Sequence, residues 1–226
     1  MRSTWAEQAW AVLRKDVLLE ARTRANVNAV VFFAGMALLV FSFALGPNRA
    51  HLQTAAAGIL WLALIFSGVL AIGRIYQIEA ENGAFEGLLL TAQNRSAIYL
   101  GKMLGAIIIM VLVEIVLVPL MAVLYDLDFH GGVPLLALAC VLGTVGFAAV
   151  GALYGALTMS LRVREVLLPL LLLPVIVPIL LGAVKATSVA LNGGHGDLAV
   201  WLELLVAFDV VFVTAGLLLF EYAVGE

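Results

Sequence analysis

Residues 73–102 read GRIYQIEAENGAFEGLLLTAQNRSAIYLGK and form a polar insert between two long apolar segments. The insert holds three of the chain's fifteen acidic residues, Glu79, Glu81 and Glu86. A segment with this many charges does not cross a bilayer, because each charge in hydrocarbon costs several kcal/mol. We therefore expect the insert to lie outside the membrane and to separate the spans before it from those after it.

The insert also shows helical periodicity. Phe85, Leu88 and Leu89 recur at three- and four-residue spacing, while Glu79 and Glu86 fall on another face. This pattern predicts a short amphipathic helix over residues 77–95, which we call the coupling helix. We expect it to lie at the cytoplasmic membrane surface and to meet another protein. The alternative is that its acidic residues only solvate the helix.

The composition places the chain in lipid. Of its 226 residues, 64% are hydrophobic and 12% are charged, and the mean hydropathy is +1.14. A soluble domain carries roughly 25% charged residues. The chain is therefore predicted to be an all-α integral membrane protein, and its net charge of −3 argues against a nucleic-acid partner.

Six segments are long and apolar enough to span a bilayer, which takes about 20 residues. Before them, residues 3–24 predict an amphipathic interfacial helix, with Trp5 and Trp10 at the headgroup level. Residues 1–226 then form a single transmembrane domain. Its predicted spans are residues 27–45, 55–75, 103–124, 133–160, 166–190 and 198–223.

The basic residues predict the orientation. Ten of the twelve Lys and Arg residues fall on one side if both termini are cytoplasmic, and only Arg49 and Lys185 fall outside. Positive charge is enriched in cytoplasmic loops. We therefore expect a multi-pass membrane protein with both termini and the coupling helix inside the cell; the family resemblance described below implies the inner membrane of a bacterial cell.

Acidic residues also occur inside the predicted spans. Glu114 lies near the middle of the third span and Asp209 near the middle of the sixth, while Glu203 is closer to the outer end of the sixth. Such residues either form a polar substrate path or conformational lock, or fix packing through interhelical hydrogen bonds. No basic residue lies in mid-span, so protonation of these carboxyl groups or hydrogen bonding to hydroxyl groups is expected rather than an ion pair.

Glycine and proline mark helix packing and bending. Gly151 and Gly155 form a GxxxG step that allows close helix approach, either within the chain or between two copies. Pro169, Pro174 and Pro178 remove backbone donors from the fifth span. We expect that helix to break or to re-enter the membrane; a permanently bent helix is the alternative.

No motif indicates catalysis by this chain. There is no GxxxxGK[ST], GxSxG, HExxH or CxxC sequence, and the single cysteine, Cys140, lies in an apolar run that predicts a core position. The three histidines are in separate predicted loops. We expect no catalytic, metal or cofactor residues in this chain, and we expect the energy to come from a partner or an ion gradient.

The insert resembles the cytoplasmic loop of ABC-2-type permeases, and more narrowly that of the CcmB family of haem exporter proteins. Gly83, Glu86, Leu88 and Lys102 match the family's acidic, glycine-containing element and the lysine that opens the next helix. Two further stretches are similar to the family's first and second spans, Leu45–Pro47 and Gly58–Trp61. The sequence departs from the family pattern at Asn82 and Ala92.

The resemblance implies the membrane subunit of an ABC-type complex in cytochrome c maturation. A separate CcmA-like ATPase would dock on the inner face and hydrolyse ATP, and CcmC- and CcmD-like membrane proteins would complete the assembly. The complex would handle haem and release a haem-loaded, CcmE-like chaperone; its ABC architecture implies two copies of this chain. The residues expected at the ATPase contact are Glu79, Glu81, Gly83, Phe85, Glu86, Leu88 and Leu89.

Two other functions are compatible with the sequence. One is an ABC-2-type exporter permease for another lipid or small-molecule substrate. The other is a membrane scaffold that recruits partners without transport.

A topology reporter tests the predicted orientation. A reporter fused after Arg95 is expected to read cytoplasmic, and one placed at His130 to read periplasmic, because the third span separates the two sites. The reverse pattern would show that the orientation is wrong.

Overall fold

The computed structural model describes residues 4–81, 87–88, 94–129, 132–159, 161, 163–192 and 197–223. The long helices of this part of the chain, numbered in order, are α1 (Trp5–Thr23), α2 (Ala25–Leu45), α3 (Arg49–Glu81), α4 (Arg95–Tyr125), α5 (Val133–Met159), α6 (Arg164–Val175), α7 (Val177–Leu191) and α8 (Leu198–Ala223). The described residues contain no strand. The predicted all-α class is thus confirmed.

Five of these helices are long and apolar enough to cross a membrane. A sixth span results if α6 and α7 are counted together, since they form an apolar pair bent by 61° at Ile176. The break occurs between Pro174 and Pro178, where the missing donors and ring clashes prevent a continuous helix. The predicted break in the fifth span is therefore observed.

The second and third spans extend beyond their predicted bounds. α3 has 33 residues and continues past residue 75 to Glu81, and α4 has 31 residues and begins at Arg95 rather than at Met103. At 1.5 Å per residue their lengths are about 50 Å and about 46 Å, more than a hydrocarbon core of about 30 Å requires. Residues 77–81, predicted as the start of the coupling helix, are the last turns of α3.

Helix α5 lies at the centre of the bundle and packs against α3, α4, α6, α7 and α8. Its buried surface is rich in glycine and alanine, so the neighbouring helices approach closely. The side chain of Ile72 lies against Gly151, and the ring of Tyr76 lies against Gly155. The GxxxG step therefore packs against α3 of the same chain.

Polar side chains join the helices at several depths. Tyr76 donates a hydrogen bond to the carbonyl of Ala152 at 2.7 Å, and Tyr99 donates to the carbonyl of Ala149 at 3.1 Å. The Trp61 indole donates to the hydroxyl of Thr187 at 2.9 Å. These bonds connect α3, α4, α5 and α7, where hydrophobic burial alone gives little advantage over lipid.

Replacing Gly151 with leucine tests the close contact between α3 and α5. A Cβ at residue 151 would collide with the Ile72 side chain, whereas a Cβ at Gly58, which also lies in a helix, has no atom within 4 Å. We expect Gly151→Leu to destabilise the protein by about 1–3 kcal/mol through overpacking. Gly58→Leu is the matched control, with the same change in helix propensity. Equal thermal unfolding midpoints of the two variants in detergent would contradict this packing.

Candidate functional site

Helix α1 packs along the first turns of α4. Gly101 of α4 lies against Val12 and the carbonyl of Ala9, so that a Cβ at residue 101 would clash with α1. At the start of α1, the Trp5 indole donates a hydrogen bond to the Ser96 hydroxyl at 2.9 Å. α1 is therefore fixed to the N-terminal end of α4.

A largely buried ion cluster joins α1 to α3 and α4, and we call it the root cluster. It consists of Lys15 and Asp16 on α1, Glu79 on α3 and Lys102 on α4. The Lys102 ammonium lies 2.9 Å from Asp16 Oδ2 and 2.6 Å from Glu79 Oε1. Lys15 also pairs with Glu79 and lies 3.3 Å from Asp16 Oδ1. Two positive and two negative side chains leave the cluster without net charge.

Lys102 is the most buried member of the root cluster. Its side chain is 0% exposed, and its ammonium lies 5.6 Å from the centre of the Tyr76 ring, which adds a cation–π contact. A buried charge of this kind is tolerated only with its partners in place. Because Tyr76 is itself bonded to α5, the cluster is continuous with the bundle core.

The pKa of Lys15 reflects these contacts. Burial lowers it, but the charge of Asp16 and the hydrogen bond and charge of Glu79 outweigh burial and raise it above its usual value of 10.5. Since the folded-state pKa is raised, the stabilisation is complete below the unfolded value and is lost only as the pH rises through the folded value. The contact is therefore at full strength at neutral pH.

The joint between α1 and α2 is a single residue, Arg24, with φ of 51° and ψ of 12° in the left-handed region. The Glu20 carboxylate accepts a hydrogen bond from the backbone N–H of Val27 at 2.8 Å. This bond satisfies one of the free donors at the start of α2. The direction of α1 relative to α2 is thereby held by backbone and side chain together.

The predicted coupling residues differ in burial, and several of them lie outside the described part of the chain. Glu79 is 4% exposed and directs its carboxylate into the root cluster, so it lies beneath the surface that was expected to meet a partner. Leu88 is half-buried and packs against the hydrophobic core. The side chain of Glu81 and the residues Gly83, Phe85, Glu86 and Leu89 lie outside the described part of the chain.

The three intramembrane acids have different surroundings. Glu114 of α4 accepts a hydrogen bond from the Thr144 hydroxyl of α5, as expected for a carboxyl group without a basic partner. Asp209 of α8 is 8% exposed and lies against Gly146 of α5, and its Oδ1 has no hydrogen-bond partner among the described residues. Glu203 is on the exposed side of α8. Glu114 and Asp209 thus both contact α5, the helix between them.

The single cysteine and the three histidines are the remaining residues that the sequence analysis considered. Cys140 is buried in the core. His51 is exposed near the start of α3, while His130 and His195 lie outside the described residues. Among the described residues, no three His, Cys, Asp or Glu side chains come together as metal ligands.

Sequence reasoning missed Lys15 and Asp16 as site residues, and gave Lys102 a role only through resemblance. One signal was available. Ala9, Val12 and Asp16 follow helical spacing, and they share the face that contacts α4. An acidic residue on the buried face of an amphipathic helix predicts a basic partner, but the spacing does not identify that partner.

Replacing Lys102 tests the root cluster. Lys102→Met removes one of the two positive charges that neutralise Asp16 and Glu79. Breaking a buried ion pair in this way costs about 3–5 kcal/mol. We therefore expect a clear drop in the thermal unfolding midpoint in detergent. Lys185→Met, at an exposed position on α7, is the control and is expected to have little effect.

The double variant Lys102→Met, Asp16→Asn separates the lost ion pair from a packing defect. It removes one positive and one negative charge, so the remaining Lys15 and Glu79 still pair. The double variant is expected to be more stable than Lys102→Met alone. Strictly additive losses would show that the two side chains are not coupled.

Comparison with known proteins covers nearly the whole chain. Residues 7–225 match the family described as CcmB protein. The chain is 31% identical over 221 residues to Heme exporter protein B of Pseudomonas aeruginosa, covering 94% of this chain and 96% of that protein. It is 30% identical over 186 residues to Heme exporter protein B of Haemophilus influenzae, covering 82% and 84%. The protein of the same name from Rhodobacter capsulatus is 29% identical over 213 residues, 94% of this chain and 95% of its own length. This chain therefore belongs to the CcmB protein family.

Proposed function

We propose that this chain is the non-catalytic membrane subunit of an ABC-type haem export system that acts in cytochrome c biogenesis. The observation that carries the proposal is the family match over residues 7–225, together with relatives named Heme exporter protein B. In this proposal, a separate ATPase binds the cytoplasmic face and hydrolyses ATP. CcmC- and CcmD-like proteins and a CcmE-like haem chaperone complete the system, and the complex, rather than this chain alone, handles haem.

The root cluster gives this proposal a physical route for coupling. Within the polar insert, α3 ends at Glu81 and α4 begins at Arg95. Glu79 and Lys102, two and seven residues from these points, are bonded to each other at 2.6 Å. A force applied by a partner to the insert would therefore move α3 and α4 together, as a rigid body, instead of spreading them apart.

The same force would reach the rest of the bundle. Trp61 of α3 is bonded to Thr187 of α7, which follows the 61° break at Ile176. A broken helix absorbs a backbone rotation at few residues, as hinges do. We infer that movement of α3 changes the angle between α6 and α7, and that this change accompanies release of the haem-loaded chaperone.

Substitutions in the coupling helix test whether it forms the contact with the ATPase. Glu86→Lys or Phe85→Asp is expected to abolish stoichiometric co-purification with the ATPase, because each change reverses the character of one helix face, while the protein still inserts in the membrane. Asp197→Lys, an exposed charge reversal before α8, is the control. Pull-down yield and membrane fraction are the measurements.

Complementation separates haem export from the other two functions. In a strain without the gene, a haem stain is expected to show loss of c-type cytochromes, which the wild-type chain restores and Glu86→Lys does not. Normal c-type cytochromes in the deletion strain would contradict the role in cytochrome c biogenesis. Wild-type pull-down yield and full complementation by both variants would show that the coupling helix is not the ATPase contact.

A further inference from the structure

A groove of about 810 Å³ lies between the second half of α1, the start of α2, the last turns of α3 and the middle of α4. This volume is within the range of about 300–1,000 Å³ that is usual for ligand sites. We call it the α1 groove. The root cluster forms part of its wall through Lys15, Asp16 and Glu79.

One end of the α1 groove is apolar and extends along a spanning helix. Ile108 and Leu112 of α4 line this end. Ile108 and Leu112 are 39% and 44% exposed. Leu112 lies 17 residues after the start of α4, roughly 26 Å along the helix axis. An occupant of this end must therefore be hydrophobic.

The other end of the groove carries an excess of positive charge. Arg22, Arg24 and Arg74 line it, and none of them forms an ion pair within the part of the chain that the structure describes. Lys15 is neutralised inside the root cluster, and Glu20, whose carboxylate accepts from the backbone of α2, offsets only one of the three arginine charges. Three guanidinium groups at one mouth match a phosphate, which arginine binds through paired N–H groups.

We propose that the α1 groove binds one anionic phospholipid, with its phosphodiester at Arg22, Arg24 and Arg74 and an acyl chain along Ile108 and Leu112. A soluble phosphate compound would leave the apolar end uncovered, and a lipid without net charge would leave the arginines only partly neutralised. Basic pockets between membrane helices bind anionic headgroups for this reason. The proposal does not depend on haem export or on the ATPase.

Such a lipid would brace the joint between α1 and α2. Arg24 is the single joint residue, and α1 also contacts the bundle through the root cluster, Gly101 and the Trp5–Ser96 hydrogen bond. A phosphodiester shared by Arg22, Arg24 and Arg74 would connect the end of α1 directly to α3. Bound anionic lipid is therefore expected to raise the thermal unfolding midpoint.

Native mass spectrometry of the full chain in detergent tests the proposal. The probes are phosphatidylglycerol and phosphatidylcholine with identical acyl chains, and free inorganic phosphate. We expect one retained phosphatidylglycerol, bound about tenfold or more tightly than phosphatidylcholine, and no displacement by inorganic phosphate. A triple variant should lose the preference for phosphatidylglycerol over phosphatidylcholine; it carries Arg22→Gln, Arg24→Gln and Arg74→Gln. The control chain carries Arg14→Gln, Arg95→Gln and Lys185→Gln, which change the net charge equally outside the groove.

A second variant keeps the test informative if the triple variant folds poorly. Leu112→Trp fills the apolar end without altering charge, and it is expected to weaken retention of both lipids by a similar factor. Equal loss of phosphatidylglycerol in the groove and control triple variants would overturn the site. Displacement by inorganic phosphate, or undiminished retention in Leu112→Trp, would overturn the lipid as its occupant.

Discussion

The ammonium group of Lys102 is the point on which the arrangement of three helices depends. It is fully buried, and a charge in that position is stable only while Asp16 and Glu79 remain beside it. One neutral cluster thus holds α1 against the bundle, together with the Gly101 and Trp5 contacts, and joins α3 to α4 near the ends that face each other across the polar insert. Because such clusters lose several kcal/mol when one partner is removed, small displacements of α1 are energetically resisted.

At the opposite end, α3 and α4 are joined by a second charge pair. Arg49, the first residue of α3, pairs with Asp126, which follows α4, and Gln53 donates to the Asp126 carbonyl at 2.9 Å. The two long helices are thus joined near both ends. Between the ends they rest on the small residues of α5, where Gly151 and Gly155 let Ile72 and Tyr76 approach closely. The pair is suited to moving as one unit.

Much of the fold could be predicted because lipid imposes simple rules. Apolar length located the spans, and Pro169, Pro174 and Pro178 located the break between α6 and α7. The ends of α3 and α4 could not be found in this way. Hydropathy identifies where the hydrocarbon core ends. A helix can continue beyond that point as long as its backbone hydrogen bonds are formed, and α3 continues through polar residues to Glu81.

The candidate site was less predictable, because its contacts are distant in sequence. Glu79 was recognised as an acidic residue of the insert, but its partners lie 64 residues before it, at Lys15, and on α4. Glu114 was a different case. The absence of basic residues in mid-span predicted either protonation or a hydroxyl partner, and the Thr144 hydroxyl is the partner observed. Local chemistry thus predicted the type of partner, and only the tertiary structure identified it.

The 86-residue separation between Asp16 and Lys102 also imposes an order on biosynthesis. When α1 leaves the ribosome, the helix that carries its buried partner has not been made. Asp16 must therefore remain without this partner while α2 and α3 are made. Docking of α1 is therefore a late step of assembly, because it requires that α4, which carries Lys102, is already in position.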